Sequence, residues 1–260
     1  MNCKRYKIGL SPHYAFTAGV LLWASLILLP VPSWSQDAEA IVKKADEHMR
    51  GNTTVVELTI QTIRPTWSRS LELKAWMKGA DYSMILIQAP AKEKGIVFLK
   101  RRKEVWNWMP VLERNIKLPP SMMSQSWMGT DFTNDDLVKE SSLRKDFSAR
   151  IDRRADTGDG WWLVLDVKPG VVGRWSRIEL RIGDDRLPME ERHFDRRRRL
   201  ARVMQFDDIR PLGGRRIPSH IVLQPADTPD QRTEMRYLDV QFDVPVADDT
   251  FSLSRLERVR

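Results

Sequence analysis

The chain has 260 residues, 42% of them hydrophobic and 30% charged, with a formal net charge of +8 and one cysteine, Cys3. That length suits one large domain able to bury a sizeable core, and a single cysteine excludes both a disulfide framework and paired-cysteine metal sites. The positive balance favours anionic membrane surfaces or acidic partners, whereas basic residues scattered over strands instead of along one helix face argue against nucleic acid.

In chain order, Lys4, Arg5 and Lys7 precede an uncharged stretch from Tyr14 to Leu29, which Pro30, Pro32 and the small residues Ser33 and Ser35 close. This is the pattern of a secretory signal peptide, with cleavage expected after Ser35. The alternative, an uncleaved anchor, is disfavoured because roughly sixteen apolar residues fall short of the ~20 that span a bilayer. No cysteine follows the apolar run, so no lipid anchor is expected on the mature chain. Residues 1–35 are therefore the expected leader and 36–260 one exported domain held by its core alone.

Asp37 to Met49 reads as a helix. Asp37 is placed as N-cap, Ile41, Val42, Ala45 and Met49 share a face, and Gly51 can end it. It should pack across the start of a sheet. From Thr53 the period becomes two: Leu71, Leu73, Ala75 and Met77 alternate with Glu72, Lys74, Trp76 and Lys78. Comparable segments run at about 53–64, 69–78, 82–89, 95–101, 104–109 and 112–118, then 145–153, 161–168, 175–183, 187–195, 200–209, 216–224 and 232–242. Turn compositions such as Gly79-Ala80, Gly158-Asp159-Gly160, Gly183-Asp184-Asp185 and Gly213-Gly214 separate them. Many short strands with few helices predict an antiparallel meander curling into a sandwich or open barrel. The segments near Tyr82–Ala89 and Ile96–Leu99 are apolar on both faces, as for a central strand covered by a helix on one side and facing a cavity on the other. The Arg196–Arg199 run admits two readings, a solvated hairpin turn and an electrostatic docking patch.

Catalytic signatures are missing. His48, His193 and His220 are isolated, and no His-Glu-x-x-His, Gly-x-Ser-x-Gly or phosphate loop occurs. Asp156-Thr157-Gly158 spells the aspartic-protease triplet, yet Arg153-Arg154-Ala155 before it is no apolar strand, and a hairpin turn is expected. Asp131, Asp135 and Asp136 lack the alternating oxygens and glycine of a calcium loop. Asp131 and Thr133 capping a short helix, with carboxylates in its first turn, is the better account.

The segment Leu118 to Phe132 has no strand period but holds three Met, a Trp and a Phe. Methionine-rich surfaces adapt to varied apolar ligands. The segment reads equally as a loop folded onto the core or as a lid on an apolar cavity. Trp106, Trp108, Met122, Met123, Trp127, Met128 and Phe132 are the candidate lining or gating residues, and Gly129 would allow a sharp bend.

Trp127-Met128-Gly129-Thr130-Asp131-Phe132-Thr133-Asn134-Asp135-Asp136-Leu137 resembles the signature of the outer-membrane lipoprotein-sorting protein family, Phe-Met-Gly-Ser-Asp-Phe-Ser/Thr-Tyr-Glu-Asp-Leu. Val105-Trp106-Asn107-Trp108-Met109-Pro110 with Arg114, and Leu187-Pro188-Met189 with Phe194-Asp195, resemble further family segments. Trp127 stands for Phe, Thr130 for Ser, Asp135 for Glu, and Asn134 replaces a Tyr ring. The resemblance implies a mainly β (α+β) fold similar to the LolA and LolB carriers: an incomplete antiparallel barrel of about eleven strands with helices over its concave face. It further implies a monomeric, non-enzymatic periplasmic protein without cofactor or metal. Such a protein binds acyl chains of lipoproteins or other lipids and exchanges them with an inner-membrane transporter or an outer-membrane acceptor. A sensor or scaffold of the same fold, acting with an envelope transporter or regulator, is the alternative.

Overall fold

The structure, a computed structural model, describes residues 34–139, 143–171 and 173–259. Up to residue 33, the expected leader lies outside the described residues.

The sequence alternation becomes one continuous antiparallel sheet. Its strands are β1 (Thr53–Ile63), β2 (Ser68–Lys78), β3 (Tyr82–Ala89), β4 (Val97–Arg101), β5 (Glu104–Met109) and β6 (Arg114–Lys117), followed by β7 (Phe147–Arg154) and β8 (Trp161–Val167). Then come β9 (Trp175–Ile182), β10 (Pro188–Asp195), β11 (Leu200–Leu212), β12 (Arg215–Pro225) and β13 (Arg232–Phe242). In space the order is β6-β5-β4-β3-β2-β1-β13-β12-β11-β10-β9-β8-β7. The two chain halves are each a meander, and β1 joins them by pairing with β13, Val56 opposite Val240. Sheet closure would require β6 and β7 to pair, and they do not, so the barrel is incomplete. The strand count is thirteen instead of the eleven the family resemblance implied, and it matches the number of alternating segments in the sequence. Both edges carry the charges that discourage edge-to-edge pairing: Arg114 and Lys117 on the four-residue β6, and Arg150, Arg153 and Arg154 on β7.

Helix α1 (Trp34–Arg50) begins three residues before the expected cap Asp37 and ends where the Gly51 N–H bonds the Glu47 carbonyl at 3.0 Å. Its apolar stripe of Ala38, Ile41, Val42 and Ala45 packs on Phe147, Ala149, Leu163, Leu165, Ile178 and Leu180. The helix therefore packs across the sheet as expected, but over β7–β9, in the second half of the chain. The reason is side-chain supply: β7–β9 offer an unbroken aliphatic face, whereas the equivalent face of β1–β4 is covered from elsewhere.

Register assigns the faces. Val56, Leu58 and Ile60 of β1 lie opposite Ala75, Leu73 and Leu71 of β2, and Ile85 of β3 lies opposite Phe98 of β4, all on the concave side. The intervening Met84, Leu86, Val97 and Leu99 point outward, yet they are buried too. They pack under the C-terminal segment, a 3-10 turn at Asp248–Phe251 and α4 (Leu253–Leu256), through Phe251 and Leu256. The two-faced apolar pattern of β3 and β4 thus has its cause, with the C terminus as the cover on one side.

Candidate functional site

Between β6 and β7 the chain crosses the concave face. After a 3-10 turn at Pro120–Met122, Ser126 and Thr133 pair as an isolated bridge, and the tight loop between them drives Trp127 inward. Met128 and Gly129 take consecutive left-handed conformations, φ 52° and 75°. A glycine accepts that geometry without steric cost, which fits the expected bend. Thr130 closes the loop, its backbone N–H and hydroxyl both donating to the Trp127 carbonyl at 2.9 and 2.7 Å.

Trp127 is 1% exposed and sits among Val56, Leu58, Ile60, Leu71, Leu73, Ile87 and Phe98, its ring 5.5 Å from that of Phe98. Phe132 is also buried and Met128 half-buried. The hollow of the half-barrel is thus filled by a loop side chain. The Trp127 indole N–H has no hydrogen-bond partner there.

Polar groups hold this loop in place. Asp131 makes a bidentate pair with Arg64, 2.9 and 3.0 Å, and accepts from the Thr233 hydroxyl at 2.7 Å. The Arg69 guanidinium donates to the Met128 carbonyl. Asn134, also buried, donates from its amide to the Met122 carbonyl at 2.9 Å. Thr133 caps α2 (Asn134–Lys139) in a reciprocal box: the Asp136 N–H donates to the Thr133 hydroxyl at 3.2 Å and the Thr133 N–H to Asp136 at 2.7 Å. Asp136 then forms a second bidentate pair, 2.7 and 2.8 Å, with Arg202 of β11. Both partners are largely removed from water, at 6% and 16% exposure for the Arg202 and Asp136 side chains. Burial acts to raise the Asp136 pKa, but the charge and hydrogen bonds of Arg202 outweigh it and hold the carboxyl below the usual range.

The Arg202 guanidinium also stacks 4.6 Å over Trp175. His193 meets the same ring edge-on at 5.1 Å and bonds Glu191 at 2.9 Å. Burial first, then the nearby Arg202 charge, pushes the His193 pKa down against Glu191 and Asp136. The concave face therefore has two apolar fields, one under α1 and one under Trp127, with a charged band between them.

The expected cap residues divide. Thr133 caps α2, with Asp136 as its partner, while Asp131 anchors the loop to Arg64. The candidate lining residues divide as well. Trp127, Met128, Gly129 and Phe132 form the plug; Met122, 39% exposed, and Met123 lie at its entry turn. Trp106 and Trp108 pair with Leu99 and Val97, so they face outward into the C-terminal cluster and are separated from Trp127 by the sheet. Period-two alternation gave their common face but not which side of the sheet it was. Sequence reading missed the anchors Arg64, Arg69, Arg202 and Thr233, which are single residues far along the chain with no local signal.

Comparison with known proteins follows the same lines. No curated protein matches. Three solved structures share the fold: a DUF1329 family protein from Desulfovibrio piger (17% identity, TM-score 0.77, 86% of this chain and 99% of that one), a putative outer membrane lipoprotein-sorting protein domain from Vibrio parahaemolyticus (16%, 0.74, 86% and 100%), and a LolA superfamily protein from Nitrosomonas europaea (21%, 0.72, 84% and 98%). Residues 79–258 match a family described as "Uncharacterized protein"-like, and the chain belongs to that family, with the fold of the outer membrane lipoprotein-sorting and LolA superfamily proteins.

Proposed function

We propose that this protein is a periplasmic, non-enzymatic carrier of acyl chains of lipoproteins or other lipids, in which the Trp127 loop occupies the place a guest takes. The observation that carries this reading is that the concave apolar field of β1–β4 is filled from a crossing loop, chiefly by Trp127, and that polar anchors hold this loop at its margins. A barrel that served only its own stability would fill its centre from its strands. The fold neighbour named for lipoprotein sorting and the LolA superfamily neighbour support the same reading.

Magnitudes make exchange reasonable. A buried tryptophan removes about 150–250 Å² from water, worth ~4–6 kcal/mol at ~25 cal/mol/Å². An eight-carbon acyl segment at about 0.8 kcal/mol per methylene is worth ~6 kcal/mol. Guest and plug are therefore nearly balanced, which suits uptake and handover. The anchors Asp131–Arg64 and Asp136–Arg202 bias the empty state toward closure.

The mature domain, residues 36–260, would follow removal of the leader and act as a monomer. The test is mass spectrometry of lipid extracted from gently purified protein, wild type against Trp127→Ala and Met128→Asp. The reading expects bound acyl lipid in wild type and altered occupancy in both variants. Equal occupancy in all three, or none in any, would refute it. A stable complex with an envelope protein in place of lipid would favour the sensor alternative.

A further inference from the structure

The Arg196–Arg199 run is an exposed turn, and its hydrogen bonds fix which of its cations stay free. It forms the β10–β11 hairpin at the end of the sheet where Arg64 and Trp67 also lie. The antiparallel order brings the β1–β2, β5–β6, β8–β9 and β10–β11 turns to that end. Asp195 braces the hairpin from within, accepting from the backbone N–H groups of Arg197 and Arg199 at 2.8 and 3.0 Å and from the Arg199 guanidinium. Arg196 spends its guanidinium on the adjacent turn, donating to the carbonyls of Gly173 and Val171 at 2.7 and 3.0 Å. Two cations remain at the tip. Among the described residues no carboxylate pairs with the side chains of Arg197 or Arg198, both exposed. Arg174, also exposed, lies 4.8 Å over the Trp175 ring on the neighbouring turn.

Apolar surface accompanies this charge. Leu200, 42% exposed, stands at the foot of the hairpin. Below it on the convex wall runs a groove of about 370 Å³, floored by Leu200, Val203 and Val222 and edged by Arg192 and Glu190. Along the same rim Trp67 is 50% and Val111 90% exposed. The intervening β12–β13 turn bears Asp227 and Asp230, which separates this basic corner from the exposed Lys92 and Lys94 of the β3–β4 turn at the same end.

We propose that this corner docks the protein on the surface of an anionic bilayer, with Arg197, Arg198 and Arg174 over the headgroups and Leu200 at the interface. A convex tip carrying several cations beside an exposed aliphatic residue fits a laterally uniform, multivalent anionic surface. It lacks the concavity that would select one acidic side chain. Each basic residue near such a surface changes partitioning about fivefold. The proposal stands apart from the acyl-binding reading, since the hairpin lies outside the concave face.

The test is co-sedimentation of the full chain with vesicles of phosphatidylcholine alone and with phosphatidylglycerol added, read as the ratio of the two partition coefficients. The apolar stretch Tyr14–Leu29 contributes to both lipids, and Lys4, Arg5 and Lys7 before it are common to wild type and all variants, so the comparison between variants isolates the hairpin. Arg197→Gln with Arg198→Asn is compared with Lys103→Gln with Arg216→Gln, which removes the same charge from the opposite end of the sheet. The proposal expects a loss of roughly 25-fold in the ratio for the hairpin pair, little change for the control, and weakening with added salt. Equal losses in both pairs, or a ratio near one for wild type, would overturn it. Lipid co-purification should survive the hairpin substitutions, so failure of the docking idea and failure of the carrier reading give different results.

Discussion

Replacing Arg202 by Met tests whether the buried Asp136–Arg202 pair holds the plug. The substitution keeps the aliphatic packing beside Trp175 and removes the charge. Asp136 then remains mostly buried with only the Thr133 N–H and hydroxyl as donors, at 2.7 and 2.9 Å. One-sided loss of a buried ion pair costs about 3–5 kcal/mol. For a domain of this size each kcal/mol lowers Tm by roughly 2–4 °C, so a fall of about 6–20 °C is expected. Asp136→Asn removes the other partner, and because the two residues act as a unit, the double variant should cost less than the sum of the singles. A coupling of at least ~1.5 kcal/mol is expected, within the range for residues in one network.

Thermal melts of the four proteins give the cycle, and hydrogen exchange gives its location. The amides of Trp127, Thr130 and Asn134 bond within the loop, to the carbonyls of Phe132, Trp127 and Gln125. In Arg202→Met they should exchange faster at temperatures where β1 and β13 stay protected. A coupling below ~0.5 kcal/mol, or loop protection that falls only with global unfolding, would refute the claim that this pair anchors the plug.

Trp127→Phe should leave stability within about 1 kcal/mol of wild type, because the lost area is offset by removing an indole N–H that finds no partner in the core; a loss above 3 kcal/mol in denaturant titration would contradict this. Gly160→Ala should destabilise strongly, since the added Cβ would meet the Ile182 carbonyl oxygen at 2.2 Å with φ at 131°; a melt unchanged within 2 °C would contradict the register of β8–β9. The low pKa of His193 carries a sign. The unfolded imidazole takes up a proton as pH falls through about 6.5, ahead of the folded one, so stability should fall from pH 7 toward lower pH, by up to about 1.4 kcal/mol per unit. His193→Gln should flatten that slope, and an equal slope in both proteins would assign it to another group. Asp136 adds a separate loss at lower pH, which begins below about 3.8, where the unfolded carboxyl takes up a proton that Arg202 keeps off the folded one.

Legibility in the sequence followed the range of the interactions. Strand alternation depends on neighbours two residues apart, so all thirteen strands were visible as alternating segments before any were paired. The helix stripe of Ile41, Val42 and Ala45 was visible for the same reason, but the surface it covers was not, because β7–β9 lie more than a hundred residues away. Alternation puts Trp106 and Trp108 on one face but leaves its side of the sheet open, and the register of β4 with β5 separates them from Trp127. A run of Met, Trp and Phe says that a segment is apolar; only pairing says from which side of the sheet it is reached. The C-terminal cover shows the same limit, since Phe251 and Leu256 carry little local pattern and matter only through Met84, Leu86, Val97 and Leu99.

The Trp127 loop shows why one local motif revealed more than the rest. Its turn is specified internally, by Gly129, by Thr130 closing on Trp127, and by the Thr133–Asp136 box. Such bonds span two to four residues and leave a compact signature. What the signature does not encode is the reason for Asp131 and Asp136 to be acids. Asp136 has a second duty toward Arg202 of β11, and Asp131 serves Arg64 just past the end of β1, so both partners reach the loop only when the meanders join at β1 and β13. A loop built chiefly to stay shut would bury apolar contacts throughout its length. This one buries two large rings and ties its margins with ion pairs whose strength depends on staying dry. Water entering at Asp136 or Asp131 would weaken the anchors cooperatively, because their electrostatic gain is greatest at low dielectric. On the carrier reading proposed above, release and closure are alternatives, since an amphiphile entering beside α2 would both wet the anchors and replace the ring.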